Sequence, residues 1–238
     1  MNGQNRVVLV AGGTGALGRA VSRAFLEAGA RVIVTYRKRA EYDELAAAVA
    51  GDASARLSGA ALDVTDEAAV KEFVGGVLER HGRLDCLVNT VGGYAGGKNL
   101  WEVGVKTYEQ MLGLNLKAGF VLATAVVPPM IAQDRGWIVN VASKAGYGHS
   151  PSAALYAASK AGALALFDSL AEEVKPYHIN VNSVVPSIFD APANRQAMPN
   201  ADFSKWPKPE EIARVILFLC SDEARVVHGA AIPVYGRT

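Results

Sequence analysis

The feature that most constrains this chain is an alternation that runs its whole length. Short apolar runs rich in β-branched residues, at 7–11, 31–36, 56–63, 85–89, 136–142, 179–185 and 230–234, read as strands. Between them lie segments with helical periodicity at 16–28, 41–50, 66–80, 106–131, 152–175 and 209–221. Several of the strands are apolar on both faces, which requires cover on both sides of a parallel sheet. Gly29 and Gly82 follow helices as C-terminal caps, and Thr65 or Asp66 can open the next one. The expectation is α/β: a single doubly wound domain over residues 1–238, with a parallel sheet of about seven strands and helices on both faces. One stretch, 186–207, fits no period and is rich in Pro, Asn, Ala and Met. A connection that long in a compact domain usually serves function, so it reads as a substrate loop or lid.

Composition narrows the function classes. A hydrophobic content of 50% over 238 residues supports a sizeable core. The net charge of +1 gives no electrostatic reason to bind nucleic acid or an anionic membrane. The greasiest stretch, around Phe120 to Ala132, carries Pro128 and Pro129 and falls short of the ~18 apolar residues that span a bilayer. The opening MNGQNRVVLV has neither a basic region nor a cleavage site, so secretion is not expected and the cytoplasm is. Cys86 and Cys220 sit in apolar contexts and read as buried thiols; no metal is expected.

The first strand runs directly into Gly12-Gly-Thr-Gly-Ala-Leu-Gly18 and then a helix. Glycines at a strand-to-helix turn let the backbone take positive φ and let a pyrophosphate approach closely, where the helix's free N–H groups face the anion. Ala16 stands where many such loops have glycine. An acid about 20 residues beyond the glycines would bind the ribose hydroxyls of NAD. Here the second strand ends in Thr35-Tyr-Arg-Lys-Arg39, with no acid before Glu41. Cations opening a helix oppose its dipole, and a bound phosphate reverses that cost. NADP(H) is therefore preferred, with NAD(H) possible, and Arg37 is the first choice for the 2′-phosphate.

Further along, "CLVNTVGG" ends the fourth strand at Asn89, and "VNVAS" ends the fifth at Ser143. Tyr156 and Lys160 follow, one helical turn apart on one face. The carboxyl ends of parallel strands line one crevice, so Ser143 and the glycine turn should share it. A phenol with a reference pKa of about 10 is a poor acid–base catalyst near neutrality unless its anion is stabilised. A neighbouring ammonium does that, and a serine can hold a substrate oxygen while the proton moves.

Together, the glycine turn, "LDV" at 62–64, "NTVG" at 89–92, Asn115 in "LNLKAGF", Ser143 and Tyr156-x-x-x-Lys160 closely resemble the short-chain dehydrogenase/reductase superfamily. The resemblance implies a Rossmann domain and an oxidoreductase with Asn115, Ser143, Tyr156 and Lys160 as its catalytic set. Tyr156 would be the general acid/base, Lys160 would lower its pKa and hold the nicotinamide ribose, Ser143 would orient the substrate oxygen, and Asn115 would anchor a relay water. Expected cofactor contacts are Gly12, Thr14, Gly15, Ala16, Leu17 and Gly18; Tyr36, Arg37 and Lys38; Asp63 and Val64; Asn89, Val91 and Gly92; Tyr156 and Lys160; and Pro186, Ser187 and Phe189. The substrate is expected at Tyr94, Ser143, His149 and Tyr156.

A narrower likeness, in the loops at 91–97 and 186–206, is to dihydropteridine reductases, which carry an aromatic where Tyr94 stands. That family lacks the catalytic serine and uses NADH with an acidic residue, whereas this chain has Ser143 and Arg37. Ala191 replaces the threonine usual after the sixth strand. Three readings follow: a carbonyl reductase or alcohol dehydrogenase, a reductase of quinonoid pterins, and a non-catalytic dinucleotide sensor. The Ser/Tyr/Lys set argues against the sensor. Tyr94, Tyr147, His149, Phe189 and Trp206 could line the substrate pocket, and Asn194, Arg195 and Met198 could meet the substrate. The superfamily likeness also implies pairing of the helices at 106–131 and 152–175 into a homodimer or homotetramer.

Overall fold

The computed structural model describes residues 5–238; the first four residues of the polar N-terminal stretch lie outside the described residues. Strands β1 (Val7–Ala11), β2 (Arg31–Tyr36), β3 (Leu57–Ala61), β4 (Cys86–Asn89), β5 (Gly136–Val141), β6 (Ile179–Val185) and β7 (Ala231–Pro233) form one sheet. Its order is β3-β2-β1-β4-β5-β6-β7, with every pairing parallel. The order reverses between β1 and β4, so the carboxyl ends of those two strands flank a crevice.

Alternation along each strand divides the core between the two faces. Val8, Val10, Val32, Val34, Val88 and Val139 pack with residues of α1 (Ala16–Glu27) and α8 (Pro209–Leu219). Val7, Leu9, Ala11, Ile33, Leu87 and Ile138 pack against α3 (Glu67–His81), α5 (Ala118–Ala132) and α6 (Ala154–Val174). Asp66 caps α3 by accepting the Ala69 N–H at 3.1 Å, and Gly82 closes it at φ +71°. Cys86 and Cys220 are buried free thiols, as expected.

Several boundaries differ from expectation for local reasons. Strand β3 begins only at Leu57, because Arg56 closes a 3₁₀ turn and donates to the carbonyls of Leu26 and Ala30 at 2.7 and 3.0 Å. It ends before Asp63, whose carboxylate folds back on Thr65. Helix α2 (Arg39–Ala47) starts two residues earlier than the periodicity suggests and ends three earlier. The segment at 106–131 is one helix, Val105–Ala132, but it contains a π-helical segment at Gly113–Lys117 between α4 (Val105–Leu112) and α5. Pro128 and Pro129 lie within it without ending it. By length and mean hydropathy (1.5) this helix could cross a membrane, which contiguous apolar runs did not reveal. Its inner face is buried in the core, with Val121, Leu122, Val126 and Met130 against the sheet, while Val105, Tyr108 and Phe120 face outward.

The stretch at 186–207 is not an irregular loop. It holds a short helix α7 (Pro192–Ala197) and a 3₁₀ turn at Phe203–Lys205. Asp190 donates its N–H to the Pro207 carbonyl at 2.9 Å, closing the segment on itself.

Candidate active site

At the glycine turn, Gly12 takes φ +74°, a conformation side chains disfavour. Its N–H donates to the Thr35 hydroxyl at 3.0 Å, and Thr90 donates to the carbonyls of Ala11 and Gly12 at 2.7 and 3.1 Å. A Cβ on Gly18 would sit 2.2 Å from the Gly12 oxygen and 2.8 Å from the Gly13 Cα, so α1 packs directly on the turn. Helix α1 has Gly15 at its N-cap and no side-chain cap. Gly15 and Ala16 are exposed while Leu17 and Gly18 are buried. The result is an open helix N-terminus with a glycine-lined floor, which fits a pyrophosphate.

At the end of β2, Tyr36 is buried and stacks on Tyr42 with ring centroids 4.9 Å apart. Arg37, Lys38 and Arg39 are exposed. Lys38 faces Glu41 at 3.4 Å and Arg39 pairs with Asp43 at 2.7 Å. Among the described residues, Arg37 is the one of these three cations without an ion-pair partner, though it lies in the field of Asp63. The Asp63 carboxyl is held below its ordinary range, chiefly by the backbone and hydroxyl hydrogen bonds from Thr65. Val64 is buried beside it.

The other end of the candidate site is built from the tips of β4 and β5 and the first turns of α6. Asn89 donates to Asn140 at 3.1 Å and accepts the Val91 N–H at 3.2 Å, which turns the chain toward Gly92. Ser143 is buried in extended backbone, and its oxygen accepts the Ala145 N–H at 3.2 Å. The Lys144 N–H donates to Pro186, tying the ends of β5 and β6 together. The Ser143 side chain lies close enough to act on the Tyr156 phenol, whose ring meets Tyr94 edge-on at 5.0 Å and 78°. Lys160 is 5% exposed and donates to the Val141 carbonyl at 2.9 Å. A Cβ on Gly92 would meet Asn115 Oδ1 at 3.0 Å and Lys160 Nζ at 3.1 Å, so only glycine leaves both groups in place.

Burial decides the titration here. It lowers the Lys160 ammonium to about 8. Burial also raises the Tyr156 phenol, opposed by the nearby Ser143 and reinforced by Tyr94. On balance the phenol stays above its ordinary value. The physical reason is that desolvation outweighs the favourable contacts, while the ammonium is engaged with Val141.

Asn115 sits in the π segment, a deformation frequent at functional sites. Its amide N–H groups donate to Gly93 O and Ser159 Oγ, each at 3.0 Å, and its oxygen accepts the Gly93 N–H at 2.9 Å. Ser159 in turn donates to the Tyr156 carbonyl at 2.8 Å. Asn115 thus spends its donors on the protein and couples the 91–97 loop to α6. A relay water would find only lone-pair capacity on its oxygen.

The remaining aromatics divide. Tyr94, Tyr147 and His149 are exposed, with Tyr94 against Tyr156. Phe189 packs against the core, and Trp206 is buried against Phe203 at 4.9 Å. Asn194 donates to the Phe189 carbonyl, Arg195 makes a bidentate pair with Asp190, and Met198 is exposed. Those contacts hold the 186–207 segment together. Pro186 and Ala191 are buried; Ser187 makes a hydrogen bond to Thr238 and another to the Tyr235 carbonyl. A cavity of about 200 Å³ lies beyond Tyr94, between the loop at 95–104 and the start of α6. Among the described residues no cluster of three or more metal-ligating side chains occurs.

Sequence reasoning missed three features. It did not foresee Thr90 as the brace of the glycine turn, Ser159 as the link from Asn115 to Tyr156, or the return of Glu41 to Thr14, whose hydroxyl it accepts at 3.1 Å. Only the α2 start at Arg39, visible in the "RAEYDEL" pattern, could have hinted at the last.

Comparison with known proteins agrees with this fold. The short chain dehydrogenase family profile matches residues 6–202. The 3-oxoacyl-[acyl-carrier-protein] reductase FabG of Thermotoga maritima is 34% identical over 98% of this chain and 97% of its own. The meso-2,3-butanediol dehydrogenase of Serratia marcescens is 30% identical over 99% and 95%. The structure of ElxO with NADP bound shares the fold with a TM-score of 0.91, at 24% identity over 98% of each chain. This chain belongs to the short-chain dehydrogenase/reductase family of NAD(P)-binding oxidoreductases.

Proposed function

We propose that the protein is an NADP(H)-dependent reductase of a carbonyl substrate, able to run in reverse as an alcohol dehydrogenase, within a single domain whose 186–207 segment borders the substrate. The observation that carries this reading is the convergence of Ser143 and Tyr156 beside a buried Lys160. When bound, the reduced nicotinamide supplies a hydride. Ser143 donates to the carbonyl oxygen and stabilises the charge that develops there. Tyr156, whose phenol is protonated near neutrality, delivers the proton once the far more basic alkoxide has formed. Gly92 leaves room for Lys160 beside the crevice, and Asn115 is a positioning residue that fixes the loop and the helix carrying Tyr156. The open N-terminus of α1 holds the pyrophosphate, and the unpaired Arg37 takes the 2′-phosphate. This reading includes a cytoplasmic location.

Ser143 is what favours a carbonyl over a quinonoid pterin, whose reduced bond is C=N and leaves no oxyanion for a hydroxyl to hold. The deciding experiment assays wild type, Ser143→Ala and Tyr156→Phe against a panel of carbonyls and quinonoid dihydropterin, with NADPH and with NADH. Tyr156→Phe should lower carbonyl reduction by about 10²–10⁴. Ser143→Ala should lower it by about 10²–10³ and leave pterin reduction nearly unchanged. A fully active Tyr156→Phe protein overturns the proposal.

The outward row of Val105, Tyr108 and Phe120, with Trp101 84% exposed nearby, supports self-association through these helices. Sedimentation should give a dimer or tetramer at micromolar concentration; a monomer would contradict it.

A further inference from the structure

Glu41 lies beyond the end of β2, yet the fold brings its carboxylate onto the glycine turn. Arg19 does the fastening. Its Nε donates to the Thr14 carbonyl at 2.8 Å, and its Nη2 donates to the Glu41 carbonyl at 3.1 Å and to the Glu44 carboxylate at 2.7 Å. The first turn of α2 is thereby held against the start of α1. From that position Glu41 Oε2 accepts the Thr14 hydroxyl at 3.1 Å, while Oε1 faces Lys38 Nζ at 3.4 Å. One carboxylate thus occupies a hydroxyl of the glycine turn and one of the cations at the end of β2, next to the unpaired Arg37.

A carboxylate and a phosphate monoester accept from the same kinds of donor. Brought together around Thr14, Lys38 and Arg37 they repel, and the dianion displaces the monoanion only by paying its Coulomb cost. The Glu41 side chain is 40% exposed, so it can rotate into water and release both donors. With no phosphate present, the same carboxylate stands ready to accept ribose hydroxyls, as the acid at the end of the second strand does in NAD-binding sites.

Building on the cofactor reading above, we propose that Glu41 is a specificity-determining residue, an internal anion that competes with the 2′-phosphate of NADP(H) for Thr14 and Lys38. It limits discrimination against NAD(H), which lacks that phosphate, so that the chain accepts both dinucleotides.

The test uses nucleotide fragments and calorimetry rather than turnover. Glu41→Gln keeps the size and the acceptor for Thr14, and the Arg19 bond to the backbone is untouched. Its ratio of affinities for 2′,5′-ADP over 5′-ADP should rise about three- to tenfold above wild type, with the rise shrinking at high salt. Glu41→Ala, which also frees Thr14, should give a rise at least as large. An unchanged ratio in both variants overturns the inference, whichever nucleotide the wild type prefers. A wild type that binds both fragments equally, beside a Glu41→Gln protein that favours 2′,5′-ADP, upholds the inference and instead overturns the NADP(H) preference.

Discussion

At the glycine turn and the neighbouring end of β2 the crevice offers backbone N–H groups, a helix N-terminus and the exposed cations Arg37, Lys38 and Arg39, whereas at its other end the charge of Lys160 lies in the interior, held by one carbonyl. The first arrangement costs little: its charges remain in water and its polar groups belong to a backbone already folded. The second is expensive, because a buried ammonium loses its hydration and one hydrogen bond restores only part of it. One region therefore tolerates its function, and the other holds a charge against the stability of the fold.

The buried end gives the larger expected effect. Lys160 titrates at about 8 when folded against an ordinary value of 10.5, so between those values the unfolded chain binds more protons. Stability attributable to this group therefore rises with pH across that window, by about 3 kcal/mol, and its burial cost is fully present below it. Denaturation without nucleotide, compared between wild type and Lys160→Met, should show that gain in the wild type and not in the variant. Parallel pH profiles would mean that the ammonium reaches solvent, and the contrast between the two ends would collapse.

At the glycine turn the expected effect is smaller and of another kind. Gly18→Ala places a methyl against the Gly12 carbonyl, where the loop and α1 must separate. A loss of about 1–3 kcal/mol follows from such overpacking, together with weaker nucleotide binding, and neither should depend on pH. Thermal melting and 5′-ADP titration measure both. A Gly18→Ala protein that melts and binds like wild type would show that α1 does not rest on the turn.

Much of this was legible because it is written in local chemistry. The seven strands follow from β-branched runs, and their order of burial follows from alternation with helices. The glycine turn is readable because only a residue without Cβ can occupy Gly12 and Gly18, and Tyr156 and Lys160 share a face because a helix repeats every 3.6 residues. The 186–207 stretch was misread as irregular because its order comes from Asp190 bonding Pro207 and Arg195, contacts that no periodicity records. Phe189 and Trp206 are packed within the fold by contacts of the same kind.

By itself, then, the sequence determined which groups the crevice contains: a phosphate cradle, a serine, a phenol and an ammonium, spaced by elements whose periods are intrinsic to the chain. Tertiary structure decided the state in which those groups are held. Burial, which depends on what packs from distant elements, set the phenol high and the ammonium low. Arg19, reaching from α1 to α2, brought Glu41 onto Thr14 across 27 residues of chain. Propensity and spacing act between near neighbours, while desolvation and side-chain contact act between whatever the fold makes adjacent.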